Sequence, residues 1–327
     1  YQLLKEVRDQ NPGAVWALVP LARAALELGK LEESEQWIDA ALELDRKNIE
    51  TLTLQAQLTL RRGDVDEAMA VLERLARDHP ESARMNYQLA LGYIASGNES
   101  GAISTLQRVM ELNPGFVPPA LMLAELHLRG RDIVSAQSIL RPLSQRLPTD
   151  RRVQLLQAEA FTLAGSADLA EKIYRELLAY NSSDTVAAFK LGEISARRGD
   201  GDDARNLLKQ VLDHEPDYLP AVTYLANLDI EGGDLPAAVE RLSRYVERNP
   251  ESATARLHLG QSFRANGEEA AAEKQFKRVV ALVPNQSHGY IALARLYLSQ
   301  TNREADAREQ LEALLAGSPR NPQALLM

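Results

Sequence analysis

Arg197–Pro216 reads RRGDGDDARNLLKQVLDHEP, and Arg61–Pro80 reads RRGDVDEAMAVLERLARDHP. Taken alone, the first stretch raises three readings. It holds an Arg-Gly-Asp tripeptide of the adhesive kind, three carboxylates that suggest a metal loop, and a nearby histidine. The second stretch decides among them. The two lie 136 residues apart, four times 34. Steps of 34 from Pro80 reach Pro12, Arg46, Pro114, Pro148, Ser182, Pro216, Pro250, Pro284 and Ser318. With Pro80, seven of these ten positions are proline in a chain with 15 prolines, so the period is not a chance recurrence. Ser318 is followed by Pro319, and one extra residue between Ala294 and Ala307 accounts for that shift.

Two columns of small residues keep the same period. One runs Ala22, Ala56, Ala90, Ala124, Ala158, Gly192, Ala226, Gly260, Ala294. The other runs Ser34, Ala68, Ala102, Ala136, Ala170, Ala204, Ala238, Ala272 and, displaced by one, Ala307. Small side chains at fixed spacing mark places where helices cross too closely for a larger group. Within Leu219–Ser252, Leu225, Ala226 and Leu228 predict one face of a first helix. Gly232-Gly233-Asp234 then ends it, because glycine accepts the left-handed conformation of a helix C-terminus. Asp234 suits an N-cap and Pro236 a first turn. Ala238, Leu242 and Tyr245 form the stripe of a second helix, and Asn249-Pro250 closes the unit. Gly199-Asp200 and Gly63-Asp64 are thus turns between helices. The carboxylates after them (Asp202, Asp203; Asp66, Glu67) favour the positive end of a helix dipole. A calcium loop fails because Ala204 stands where an oxygen ligand is needed.

The pattern resembles the tetratricopeptide repeat family over essentially the whole chain. The resemblance rests on the two small-residue columns and the leucine before the first (Leu89, Leu123, Leu191, Leu225, Leu259, Leu293). It also rests on Tyr93, Phe161, Phe263 and Tyr297, the turn glycines and the terminal prolines. The family's early tryptophan place holds Leu18, Leu52, Asn86, Ala120 and Gln154 instead, and Trp16 and Trp37 fall outside it. The resemblance implies an all-α fold, a right-handed superhelical solenoid of helix-turn-helix tetratricopeptide repeats. Nine units are expected at 15–48, 49–82, 83–116, 117–150, 151–184, 185–218, 219–252, 253–286 and 287–320. Residues 1–14 read as the second helix of a truncated upstream repeat and 321–327 as the start of another, so a segment of a longer repeat protein is expected.

Composition narrows the function. A formal charge of −9 and a pI near 5.3 argue against general nucleic-acid binding, which needs a basic face. No apolar run approaches a membrane span, so no direct membrane insertion is expected of this segment. The absence of cysteine excludes disulfides and thiolate metal sites. Only eight of the 37 basic residues are lysine; with the abundant alanine, this fits a bacterial chain from a GC-rich genome. The histidines, His79, His127, His214, His258 and His288, share no ligand-like spacing. No GxxxxGK[ST], GxSxG or HExxH occurs, so neither an enzyme nor a cofactor or metal site is expected.

By resemblance, the first helix of each repeat lines a concave groove through its second, fifth, ninth, twelfth and thirteenth places. Three successive ninth places carry Glu125, Glu159 and Glu193, with Arg129, Arg197 and Arg152 nearby. Tyr87, Leu91 and Ile94 precede them and Phe189 lies further along. Two readings compete. Glu125–Arg129 and Glu193–Arg197 are i, i+4 pairs that stabilise their own helices by a few tenths of a kcal/mol, and the apolar side chains fill space. Alternatively, the group is a partner-binding groove for another protein's helix or extended segment. A clamp for carboxylate termini, which in the family uses paired lysines and asparagines, does not fit: Asn227 stands at one ninth place, but glutamates, Gln57 and Gln261 stand at others. The expected function is a non-catalytic scaffold for complex assembly. Long arrays of this kind are similar to the periplasmic arrays of bacterial exopolysaccharide secretion systems, which places the protein in the periplasm. A cytoplasmic adaptor and a regulatory array of a larger enzyme are the alternatives.

Overall fold

The computed structural model describes residues 1–11 and 14–326; Pro12, one of the periodic prolines, lies outside the described residues. The chain is an all-α repeat solenoid, with no strand among the described residues. It divides into two compact units, 1–166 and 167–327. The first holds α1 (Gln2–Gln10), a 3₁₀ turn (Val15–Ala17) running into α2 (Leu18–Glu27), α3 (Leu31–Leu44), α4 (Ile49–Arg62), α5 (Val65–Asp78), α6 (Ala83–Ala95), α7 (Glu99–Leu112), α8 (Val117–Arg129), α9 (Ile133–Arg146) and α10 (Arg151–Leu163). The second holds α11 (Ala167–Tyr180), α12 (Thr185–Arg197), α13 (Gly201–His214), α14 (Leu219–Glu231), α15 (Leu235–Arg248), α16 (Ala253–Ala265), α17 (Glu269–Leu282), α18 (Ser287–Leu298), α19 (Glu304–Gly317) and α20 (Pro322–Leu325). From α2 onward, even-numbered helices are the first of each pair and odd-numbered helices the second. The boundary between the units falls in the turn inside the 151–184 segment.

The turns explain the quoted stretches. Gly63 and Gly199 adopt φ of 94° and 84°, a left-handed conformation that costs glycine little. Asp64 N–H donates to the Thr59 carbonyl (3.1 Å) and Asp200 N–H to the Ser195 carbonyl (3.0 Å), the six-to-one bonds of a Schellman motif. Asp200 then caps α13 by accepting from Asp203 N–H at 3.1 Å, and Asp234 caps α15 by accepting from Ala237 N–H at 3.2 Å. Two turns depart from this. After α8 the glycine sits one place early, and Arg131 takes the left-handed position at φ 58°. After α18 the extra residue inferred from the sequence is absorbed in 299–303, where Asn302 has φ 64°.

The small-residue columns meet where the helices of a pair cross. Ser34 Oγ donates to the Ala22 carbonyl at 2.9 Å, joining one column to the other. Alanines of both columns are at most 1% exposed. The space left at a crossing differs with the side chain that faces it. A Cβ on Gly192 would lie 3.3 Å from Leu208, whereas one on Gly260 would lie 2.4 Å from the Phe276 ring. Glycine at 260 is therefore the space that Phe276 fills.

Phe116 and Tyr218 replace the usual polar residue at the N-caps of α8 and α14, and neither side chain caps its helix. Proline in the first turn removes one backbone donor that would otherwise need a partner. Gln157 stands in the leucine column, 8% exposed, with its Oε1 unpaired.

Gly260→Ala is expected to lower stability by about 1–3 kcal/mol through overpacking, and adding Phe276→Leu to restore most of it. Urea denaturation of the single and double variants checks this; additive losses would place the strain elsewhere. Gln157→Leu removes an unpaired buried carbonyl and is expected to stabilise by about 1 kcal/mol in the same assay.

Candidate partner-binding face

First helices touch one another within each unit: α2 with α4, α4 with α6 and α8 with α10 in the first, α14 with α16 and α16 with α18 in the second. This brings a ninth-place side chain against the second-place side chain 27 residues later. Arg23 bonds Glu50, which also accepts from Arg84 at 3.2 Å. Glu125 accepts from Arg152 at 2.8 Å. One of the two competing readings pairs Glu125 with Arg129 and Glu193 with Arg197, and the structure forms neither ion pair. Arg129 reaches Glu99 at 3.0 Å rather than Glu125. Arg197 Nε donates to the Glu193 backbone carbonyl at 3.2 Å, while the Glu193 carboxylate takes Lys190 at 2.9 Å. Glu159 is exposed and has no ion pair among the described residues; 27 residues on, the sequence places the apolar Val186.

In the first unit, Tyr87, Glu125 and Arg152 come together. Burial pushes the Tyr87 phenol up, with the nearby Arg152 opposing and Glu125 reinforcing the shift. The Tyr87 ring meets Phe116 edge-on at 5.2 Å. Tyr87 and Ile94 are half-buried against the cluster of Ala90, Ala102, Leu106, Leu123 and Leu126. Leu91 is half-buried on the same helix, outside that cluster.

In the second unit, Phe189 is only 8% exposed and belongs to the core, so it is not an open contact. It holds Tyr218 and Tyr224 edge-on at 5.4 and 6.2 Å, and these half-buried rings are what reaches the surface. Burial raises both phenols. Sequence reasoning missed them, although a signal existed: Phe189 and Tyr218 stand 102 residues, three periods, after Tyr87 and Phe116. It also missed a cavity of about 170 Å³ between α16 and α18, lined by Gln261, Arg264, His288 and Arg295. Neither arginine there has an ion pair among the described residues.

Other charged groups are committed to the fold. Arg198 of the Arg-Gly-Asp tripeptide bonds Asp168 and Glu171. Asp229, with a side chain 5% exposed, lies between Arg205 and Arg241, the latter donating through Nε and Nη2 at 3.0 and 2.9 Å. This triad ties α13, α14 and α15 together.

Tetratricopeptide repeat signatures match residues 1–58, 59–110, 93–160 and 196–261, and further ones of the same description match 164–218 and 254–285. The chain belongs to the tetratricopeptide repeat family. Its repeats make it a protein-interaction scaffold. A tetratricopeptide repeat protein from Parabacteroides merdae is similar in structure, with TM-score 0.61, 14% identity, and 76% of this chain and 98% of that one covered. The human IFIT1 dimer solved with m7Gppp-AAAA shares the fold at TM-score 0.55 and 18% identity, covering 93% of this chain and 77% of that one. Human aspartyl/asparaginyl beta-hydroxylase is 29% identical over 42% of this chain, and the match spans 20% of that protein. Among the described residues, no helix is long and apolar enough to cross a membrane.

Exposed and buried charge should separate in stability. Asp229→Ala leaves two partly buried guanidiniums without their shared carboxylate and is expected to cost about 3 kcal/mol. Glu125→Gln with Arg152→Gln should change stability by less than about 1 kcal/mol. Equal losses in urea denaturation would mean that the first-helix pair is structural.

Proposed function

We propose that the protein is a non-catalytic scaffold that assembles other proteins along its first-helix face. We place it in the bacterial periplasm, within a cell-envelope or exopolysaccharide secretion system. The observation that carries the binding reading is the convergence of Tyr87, Glu125 and Arg152 beside the Phe116 ring, with unpaired Glu159 on the same helix as Arg152. Half-buried aromatic edges offer apolar contact at low entropic cost, and an unpaired carboxylate selects a basic group. A basic amphipathic helix or extended segment of a partner meets both requirements. The compartment rests on the resemblance to periplasmic arrays and agrees with the lack of cysteine. A cytoplasmic adaptor is the alternative compartment. A second reading, a regulatory array within a larger enzyme, draws on the similarity to the human hydroxylase, of which the match spans 20%.

A photo-crosslinking residue at Leu91, on a first helix, should capture a partner in bacterial extract, and one at Arg74, exposed on the second helix α5, should not. The captured partner should then bind Glu125→Lys with Glu159→Lys about tenfold more weakly, with an altered salt dependence. Equal capture from both positions, or unchanged affinity, would move the site to another face.

A further inference from the structure

A cleft of about 630 Å³ opens on the other side of the first unit, between the second helices α7 and α9. Met110, Leu123, Ile139, Pro142 and Leu143 give it an apolar lining, and Arg146 stands at its edge. A bridge present in two other repeats is missing here. There a side chain on the second helix reaches the loop before its pair: Arg108 donates to Glu81 at 3.2 Å and Arg278 to Glu251 at 2.8 Å. In this repeat the two places hold Pro142 and Gly115, neither of which can form that bond.

The same absence frees a charge. Three periods later, Arg248 bonds Asp217 at 3.1 Å. Arg146 corresponds to Arg248, and Gly115 to Asp217, so Arg146 has lost its carboxylate. Arg141 and Arg146 are exposed and have no ion pair among the described residues, and α9 contains no acidic residue. The acid in the lining, Glu111, is held by Arg108 at 3.1 Å. Pro142 also has no N–H, so the Ser138 carbonyl on α9 lacks its helical donor. A chain of net charge −9 thus carries an apolar cleft edged by one uncompensated guanidinium, that of Arg146, and one spare acceptor.

We infer that this cleft is a second protein-docking site, separate from the first-helix face. Its occupant is an acidic peptide segment with a bulky apolar side chain for the cleft and an adjacent Asp or Glu for Arg146. The spare Ser138 carbonyl calls for a donor N–H, which a peptide supplies and a fatty acid does not; the volume lies within the range of ligand pockets.

The test uses the whole chain and a displayed library of random 12-residue peptides. Peptides are selected on the wild type and counter-selected on Gly115→Glu with Pro142→Arg, which restores the bridge over the cleft. Surviving peptides are expected to pair an apolar residue with Asp or Glu. Arg146→Glu should weaken them about tenfold, and the bridged variant, shown folded by circular dichroism, should abolish binding. Glu125→Lys with Glu159→Lys should leave them unchanged, which separates this site from the first-helix reading. Recovery of no such peptide, selection of basic ones, or binding of oleate alone that the bridge blocks would each overturn the proposal.

Discussion

The helices of each pair cross at a pair of buried small residues, and the remaining geometry follows from that crossing. Where Ser34 reaches the Ala22 carbonyl, there is no room for a branched side chain on either helix. Repeating that crossing every 34 residues fixes how each pair presents its flanks to the next. The ninth place of one first helix then meets the second place of another, in Arg23 with Glu50 and Glu125 with Arg152, and the same 27-residue separation recurs in bridges at other places of the repeat: Arg62 to Glu35, Arg108 to Glu81, Arg198 to Glu171, Arg278 to Glu251. Such exposed pairs add little stability individually. Their regularity reports the crossing rather than causing it.

The fold was legible because its determinants are local and repeated. Proline, glycine and alanine each carry a steric meaning that survives without knowledge of their neighbours, and the single inserted residue showed as a shift in column. The charged partners were less legible. Glu125 has Arg129 one turn away in the same helix, yet it takes Arg152 from the next first helix, because stacking brings that guanidinium to the carboxylate at no cost to either helix. Sequence separation misled the reading, and the 34-residue period held the correction, since Arg23 and Glu50 occupy the same places nine and two as Glu125 and Arg152. Phe189 was read as open because its place faces the groove; Tyr218 and Tyr224 cover it, and burial depends on what neighbouring repeats put on top.

Departures from the repeat carry the chemistry. Phe116 and Tyr218 give up side-chain capping and provide ring edges instead. Gly115 and Pro142 give up a surface bridge and leave an apolar cleft with a free cation. Each exchange is tolerable because a repeat array distributes its stability over many similar contacts, so one unit can lose a cap or a bridge while its neighbours hold it in place.

The turn at 299–303 shows where the array can vary in length. It takes one residue more than its counterparts, and Asn302 in the left-handed position returns the chain to α19 with Ala307 still buried at 1%. Elsewhere a single inserted residue would rotate a helix by about 100° and carry its small side chain away from the crossing. Here the helix that follows keeps its face. Inter-helix turns are therefore the array's splice points: a foreign loop grafted there would be displayed on the solenoid's edge without changing the phase of any repeat beyond it.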